Sequence, residues 1–217
     1  ADLQRRKRFV LFGPKEALMG FELCHLPLVF VEVGYLSGVL RKKWKISSFI
    51  LDGRDGTMVD IEKGLKRKPG FENLLGLDET TARVLVALVK SKEATIPELE
   101  EKTELAQSTV RKALKALQEQ RLVTYKRVGR ANKFLPLGRI HIPKLDRQVR
   151  FTQPSRREIS NPLPCKVAEA DLRAALKAIE PSSDLLRFQL FYYPVYVARF
   201  AGRKIEIDGV SGKVRAG

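Results

Sequence analysis

The chain holds little that oxidation or metal chemistry could use. Its 217 residues include two cysteines, Cys24 and Cys165, and two histidines, His25 and His141. Two cysteines are too few for a disulfide framework and fit a reducing cytoplasm. Neither histidine stands at a metal-finger spacing from a cysteine, and the neighbours Cys24 and His25 point to opposite faces of an expected strand. Cys24 therefore reads as core. No apolar run approaches the roughly 20 residues of a membrane span, and no signal peptide opens the chain. A GxxxxGK[ST] phosphate loop and a GxSxG elbow are missing, and Asp52-Gly-Arg-Asp-Gly56 lacks the distal Glu of a calcium loop. Glu98, Glu100 and Glu101 share a helix without an acid-base partner. With no catalytic constellation the chain is expected not to be an enzyme by itself, and to need neither cofactor nor metal. Scarce Met, Cys and Asn beside many charges suit a thermophile.

What the chain has in excess is positive charge. Lys and Arg number 41 against 25 acids, a formal net charge of +16. Such an excess favours a nucleic acid or an anionic membrane as partner, and with no membrane segment in view nucleic acid is preferred. Arg5, Arg6, Lys7 and Arg8 form a basic arm, either solvated or phosphate-contacting. The apolar run Phe9 to Phe12 ends at Gly13-Pro14, as a short strand would. The absence of an initiator Met suggests a piece of a longer protein, or Met removal before Ala1.

Two stretches repeat. Phe21 to Val33, with Pro27, aligns without gaps on Phe188 to Phe200, with Pro194. Each is followed by an Asp-Gly turn, Asp52-Gly53 and Asp208-Gly209, whose glycine is expected at positive φ. Each copy reads as a strand, a Pro placing it at an edge or bulge, a second strand, the turn and a third strand. An insertion around Gly34 to Ser48 in the first copy carries Arg41, Lys42, Lys43, Trp44 and Lys45. Phe188, Phe191, Tyr192, Tyr193 and Tyr196 crowd the second copy, as a stacking platform for single strands or as packing between lobes or across a dimer. Ahead of that copy, Leu172, Leu176 and Ile179 give Val167 to Ile179 a helical stripe. Gly138 to Lys166, with four prolines, reads as an extended basic connector long enough to imply at least two lobes.

Between the copies lie three helices and a hairpin. Asp78 is the expected N-cap of a helix to about Lys90, with Val84, Leu85, Leu88 and Val89 inward. Thr95-Ile96-Pro97-Glu98 is a capping box opening the second helix. The third, Gln107 to Gln120, turns Val110, Leu114 and Leu117 inward and Gln107, Ser108, Thr109, Arg111, Lys112 and Lys115 outward. Thr124 to Leu135 is a basic hairpin. Charge is sorted along this module: Asp78 to Glu104 has seven acids and four bases, net −3, whereas Gln107 to Lys133 has eight bases and one acid, net +7. A merely soluble surface needs no such sorting; a DNA-reading helix and hairpin do.

Ser108-Thr109-Val110, Leu114, Leu117 and Leu122-Val123 resemble the recognition-helix pattern of prokaryotic winged helix-turn-helix regulators, over about 60 residues of this chain. Two positions depart from it. Ala106 stands where a Ser N-cap is usual, and Arg121 where Gly usually ends the helix, each at about 1 kcal/mol. The resemblance implies double-stranded DNA as partner. It implies base-edge contacts from Gln107, Ser108, Thr109 and Arg111, and phosphate contacts from Lys112, Lys115, Lys126, Arg127, Arg130 and Lys133. Accessory contacts are expected from Arg5, Arg6, Lys7 and Arg8 and from Lys42, Lys43 and Lys45. The expected fold is α+β: a winged helix-turn-helix (70–137) between two copies of the β-rich repeat. The first copy (15–66) follows the arm and short strand (1–14); a connector (138–166) leads to a helix with the second copy (167–217).

The opening RRKRFVLFGPKE, a Pro-bearing strand, an Asp-Gly turn and a winged helix also resemble the C-terminal region of archaeal HerA/FtsK-type DNA-translocating ATPases. That resemblance implies a motor outside this chain as partner. The alternatives are a free-standing archaeal transcription regulator and a protein-protein module without DNA contact. Either way the protein is expected in the cytoplasm with the nucleoid, self-associating, if it does, through the β-rich flanks.

Overall fold

The computed structural model describes residues 18–38, 41–62, 64–146, 148–149, 159 and 162–216. The basic arm Arg5 to Arg8 and the strand expected at Phe9 to Phe12 lie outside the described residues. The architecture is mixed α and β, with four α-helices and a seven-stranded sheet, all of whose pairings are antiparallel.

The long strands β1 (Leu18–Ser37) and β7 (Asp184–Phe200) pair at the centre of this sheet. Outward from β1 come β2 (Lys43–Asp52), β3 (Met58–Asp60) and β4 (Lys66–Lys68). Outward from β7 come β8 (Lys204–Asp208) and β9 (Val214–Ala216). β1 is hydrophobic on both faces through its middle because both are covered. Leu26, Leu28 and Phe30 meet Phe191, Tyr193 and Val195 on one face, and Val29, Val31 and Val33 enter the other core. Leu26, Leu28, Val29 and Val31 are fully buried, at about 1.5–3 kcal/mol of transfer free energy each.

Neither proline breaks its strand, contrary to the two-strand reading. Within one strand residue the C=O and N–H point the same way. Pro27 turns its carbonyl to the N–H of Gly53 (2.7 Å), just past Leu28↔Asp52, the last β1–β2 pair. Its missing N–H faces a side where β2 has already ended, so no ladder bond is lost. Pro194 repeats the arrangement, accepting from Gly209 N–H at 3.0 Å beyond Val195↔Asp208. The edge is local, inside an interior strand. The turns also differ from expectation: positive φ falls at Gly56 (80°) and Gly212 (67°), not at Gly53 and Gly209. Gly53 and Gly209 are needed because a Cβ there would press on the carbonyls of Pro27 and Pro194.

Where the connector's length implies separate lobes, one buried cluster is found. It joins Val29, Val31, Val33, Phe49 and Leu51 of the sheet to Phe71, Leu74 and Leu77, to the helices between residues 79 and 119, and to Leu172, Leu176 and Ile179. Phe71 meets Phe49 edge-on at 5.8 Å. The described residues of the connector bond to the sheet. Val149 exchanges hydrogen bonds with the Ser48 hydroxyl, Leu163 N–H donates to His25 O, and the N–H groups of Lys166 and Val167 donate to Gly53 O. The crowded aromatics of β7 are packing: Phe191 and Tyr193 are buried, and Phe188, Tyr192 and Tyr196 half-buried.

Candidate nucleic-acid interface

Helix α1 (Glu79–Ser91) starts at Asp78, whose carboxylate accepts from Thr81 N–H at 2.9 Å. Helix α2 (Ile96–Thr103) starts at Thr95, whose N–H (2.6 Å) and hydroxyl (2.9 Å) both donate to Glu98. Helix α3 (Gln107–Glu119) buries Val110, Ala113, Leu114 and Leu117. Its N-cap, Ala106, supplies no side-chain bond. At the other end Arg121 takes φ 57°. Its N–H donates to Gln118 O and Leu122 N–H to Leu117 O, a full Schellman stop formed without glycine.

That stop aims the chain into the ribbon of β5 (Val123–Val128) and β6 (Ala131–Pro136). Ala94 adds a third strand position, exchanging backbone bonds of 3.0 and 2.8 Å with Phe134. Paired residues of a ribbon share a face, and the pairs alternate. Tyr125↔Phe134 and Arg127↔Asn132 lie on the face that carries the buried Phe134 towards the helices. Lys126↔Lys133 lies on the other face.

The ten predicted contacts are thus not one surface. On α3, Ser108, Arg111, Lys112 and Lys115 are exposed along the face opposite the core, Gln107 is exposed at one flank, and Thr109 is half-buried at the other. Arg127 lies on the helix-facing side of the ribbon and Arg130 at its tip, both exposed. Arg111, Lys112, Lys115, Arg127 and Arg130 have no ion-pair partner among the described residues. Lys126 and Lys133 do: both ammonium groups bind the carboxylate of Glu93, at 2.5 and 3.0 Å. Their hydrogen bonds hold the Glu93 carboxyl below its ordinary pKa. Sequence reasoning missed Glu93; a single acid in the α1–α2 turn, forty residues before Lys133, carries no local signal. Glu119, on the same exposed row of α3, sets the end of its cationic stretch.

The accessory residues Lys42, Lys43 and Lys45 are exposed on the β1–β2 hairpin, and no hydrogen bond or ion pair among the described residues joins them to α3 or the ribbon. A cleft of about 540 Å³, lined by Ile50, Val59, Ile61, Lys68, His141 and Lys144 among others, lies on the sheet and holds none of the predicted residues. There burial, helped by Lys68, lowers the His141 pKa. Among the described residues no three His, Cys, Asp or Glu stand close enough to hold a metal ion, and no helix is long and apolar enough to cross a membrane.

Residues 75–131 match the family model described as the MarR family. This segment is a winged helix-turn-helix. The match spans Leu75 to the start of β6 and leaves the seven-stranded sheet outside it. Comparisons with curated proteins and with solved structures returned no match.

Proposed function

We propose that this protein binds double-stranded DNA, with α3 in the major groove and the Arg127–Arg130 side of the ribbon on the adjacent backbone. The carrying observation is the set of five cations, Arg111, Lys112, Lys115, Arg127 and Arg130, exposed on α3 and the ribbon with no ion-pair partner among the described residues. Cations not engaged by a protein carboxylate can neutralise phosphates and release the counterions condensed on the duplex. Gln107, Ser108 and Thr109 at the first turn of α3 stand where a groove-bound helix meets base edges, and supply donors and acceptors for them. Lys126 and Lys133 contribute charge at longer range while Glu93 holds them.

Fluorescence anisotropy of a labelled duplex tests this. Five phosphate contacts give log affinity a slope near about −4.5 against log salt, a fall of about 10²–10³-fold between about 50 and 200 mM. Affinity that stays flat over that range would sink the reading. Arg111→Ala that relaxes sequence preference marks base reading, and a uniform loss marks a phosphate contact.

The flanking sheet is read as two related halves. Leu26 and Tyr193, which occupy equivalent positions in the aligned stretches, lie directly opposite each other, as a twofold axis between the halves requires. The matching Gly53–Pro27 and Gly209–Pro194 bonds support the same relation. On this reading the winged helix is an insert following the first half. Two roles fit it: the DNA-engaging end of a translocating ATPase, favoured by the resemblance of the opening string, and a regulator, favoured by the family matched at residues 75–131. The full-length gene separates them, since an upstream phosphate-loop domain supports the motor and a start codon just before Ala1 removes it.

A further inference from the structure

The β1–β2 hairpin extends past the core of the sheet and carries Trp44, the chain's one tryptophan. Cross-strand pairing gives its end two unlike faces. Gly34↔Ile46 and Leu36↔Trp44 set Leu36, Trp44 and Ile46 in one row, and all three are exposed, Trp44 at 49%. Tyr35↔Lys45 and Ser37↔Lys43 set the lysines on the reverse face. With Arg41 and Lys42 the hairpin has four exposed cations, and no acid occurs in sequence between Glu32 and Asp52. The nearest cross-strand carboxylate, Asp184 opposite Gly34, is already paired with Lys177 at 3.5 Å.

Gly34 explains how the tryptophan is held. A methyl group there would collide with Cζ2 of the Trp44 indole, so the ring lies over the bare backbone of β1. One side of the indole is covered by the strand, and the solvent-exposed half of the residue is what a ligand can meet. The supported aromatic plane lies on one face of the hairpin, with Arg41 and Lys42 near its tip and Lys43 and Lys45 on its reverse face, none of them ion-paired among the described residues. This suits an unpaired base whose backbone passes over the hairpin edge, because every base has a π-face and every linkage a charge.

We propose that this hairpin is a second nucleic-acid site, specific for single strands, in which Trp44 stacks on a base and Arg41, Lys42, Lys43 and Lys45 hold the flanking phosphates. The proposal extends the DNA-binding reading but rests on different residues. It places the aromatic platform here and not among the aromatics of β7, which packing consumes.

Trp44 is its own reporter. Titrating the full chain with an oligothymidylate of about 16 nucleotides is expected to quench the intrinsic tryptophan emission saturably, and added salt to restore it. By anisotropy, Trp44→Ala should weaken oligothymidylate binding about 10-fold and leave duplex affinity within about twofold. Trp44→Phe, which keeps a ring on Gly34, should retain most of the binding. Arg111→Ala should show the opposite pattern, losing duplex and keeping the single strand, so the two readings fail separately. Unchanged emission at saturation overturns the proposal, as does equal loss of duplex and single-strand binding in Trp44→Ala. Self-association through the exposed row, seen as a DNA-independent dimer that Trp44→Ala dissolves, also overturns it.

Discussion

The winged helix keeps its charges outside, whereas the sheet keeps two carboxylates inside. Asp52 and Asp208 are 0% and 1% exposed, at the ends of β2 and β8. They are neutralised by different means. Asp52 binds the guanidinium groups of Arg54 at 2.8 Å and Arg67 at 3.2 Å. Asp208 accepts backbone N–H groups from Leu65 (2.7 Å), Val210 (2.9 Å) and Ser211 (2.7 Å) and the Tyr193 hydroxyl at 3.0 Å. In the sheet every such charge is spent on architecture. On α3 and at Arg127 and Arg130 of the ribbon the cations have no ion-pair partner among the described residues, which suits them to the proposed contact with DNA. Substitutions in the two regions should therefore separate stability from affinity.

The largest effect should come from Asp208→Ala. It strands the buried N–H of Leu65, the N–H groups of Val210 and Ser211 and the Tyr193 hydroxyl, and should lower stability by about 3 kcal/mol in chemical denaturation, with duplex affinity of the folded fraction unchanged. A drop in affinity without a drop in stability would break the comparison. Asp208 also predicts a pH dependence. Burial alone would raise its pKa, but the donors on it win and bring it from 3.8 to about 2. A carboxylate so depressed stabilises the fold at pH above about 4. That contribution, about 2 kcal/mol, is lost as pH falls through about 2, and Asp208→Asn should flatten stability across this window.

Next is Arg127→Ala on the free side of the ribbon. Duplex affinity should fall about 10-fold and the salt slope shrink by about 1, while the melting temperature stays put. Arg121→Gly should do the reverse, relieving the left-handed backbone at φ 57° and adding about 1 kcal/mol of stability at constant affinity. The smallest effect is the most diagnostic. Glu93→Gln should free Lys126 and Lys133 and tighten duplex binding by about two- to threefold at low salt; a weakening would mean that Glu93 positions the lysines for DNA.

Legibility in the sequence followed the range of the interactions. The winged helix was legible almost to the residue, because caps and 3.6-residue periodicity act within one turn: Asp78, the Thr95–Glu98 box and the strained Arg121 were all foreseen. The sheet was half legible. The turns at Asp52 and Asp208 are local and their positions showed, though not which glycine takes positive φ; the β1–β7 pairing joins residues about 160 positions apart and did not show. The prolines misled because a missing N–H disqualifies a strand only where a neighbour would use it, and where β2 and β8 end is not written near Pro27 or Pro194. In the interface, alternation counted outward from Gly129 would have split Arg127 from Lys126 and Lys133 beforehand. Nothing local would have found Glu93.

Buried side chains run unbroken from Val31 through Phe71 and Leu85 to Leu176, where α4 (Glu169–Ile179) leads into β7. The winged helix is therefore packed in one cluster with the sheet and with α4. A helix hung on one flexible linker can swivel to find its groove; this one points where the sheet points. If α3 takes DNA as proposed, a twist of the sheet would reach that DNA through the same packed column.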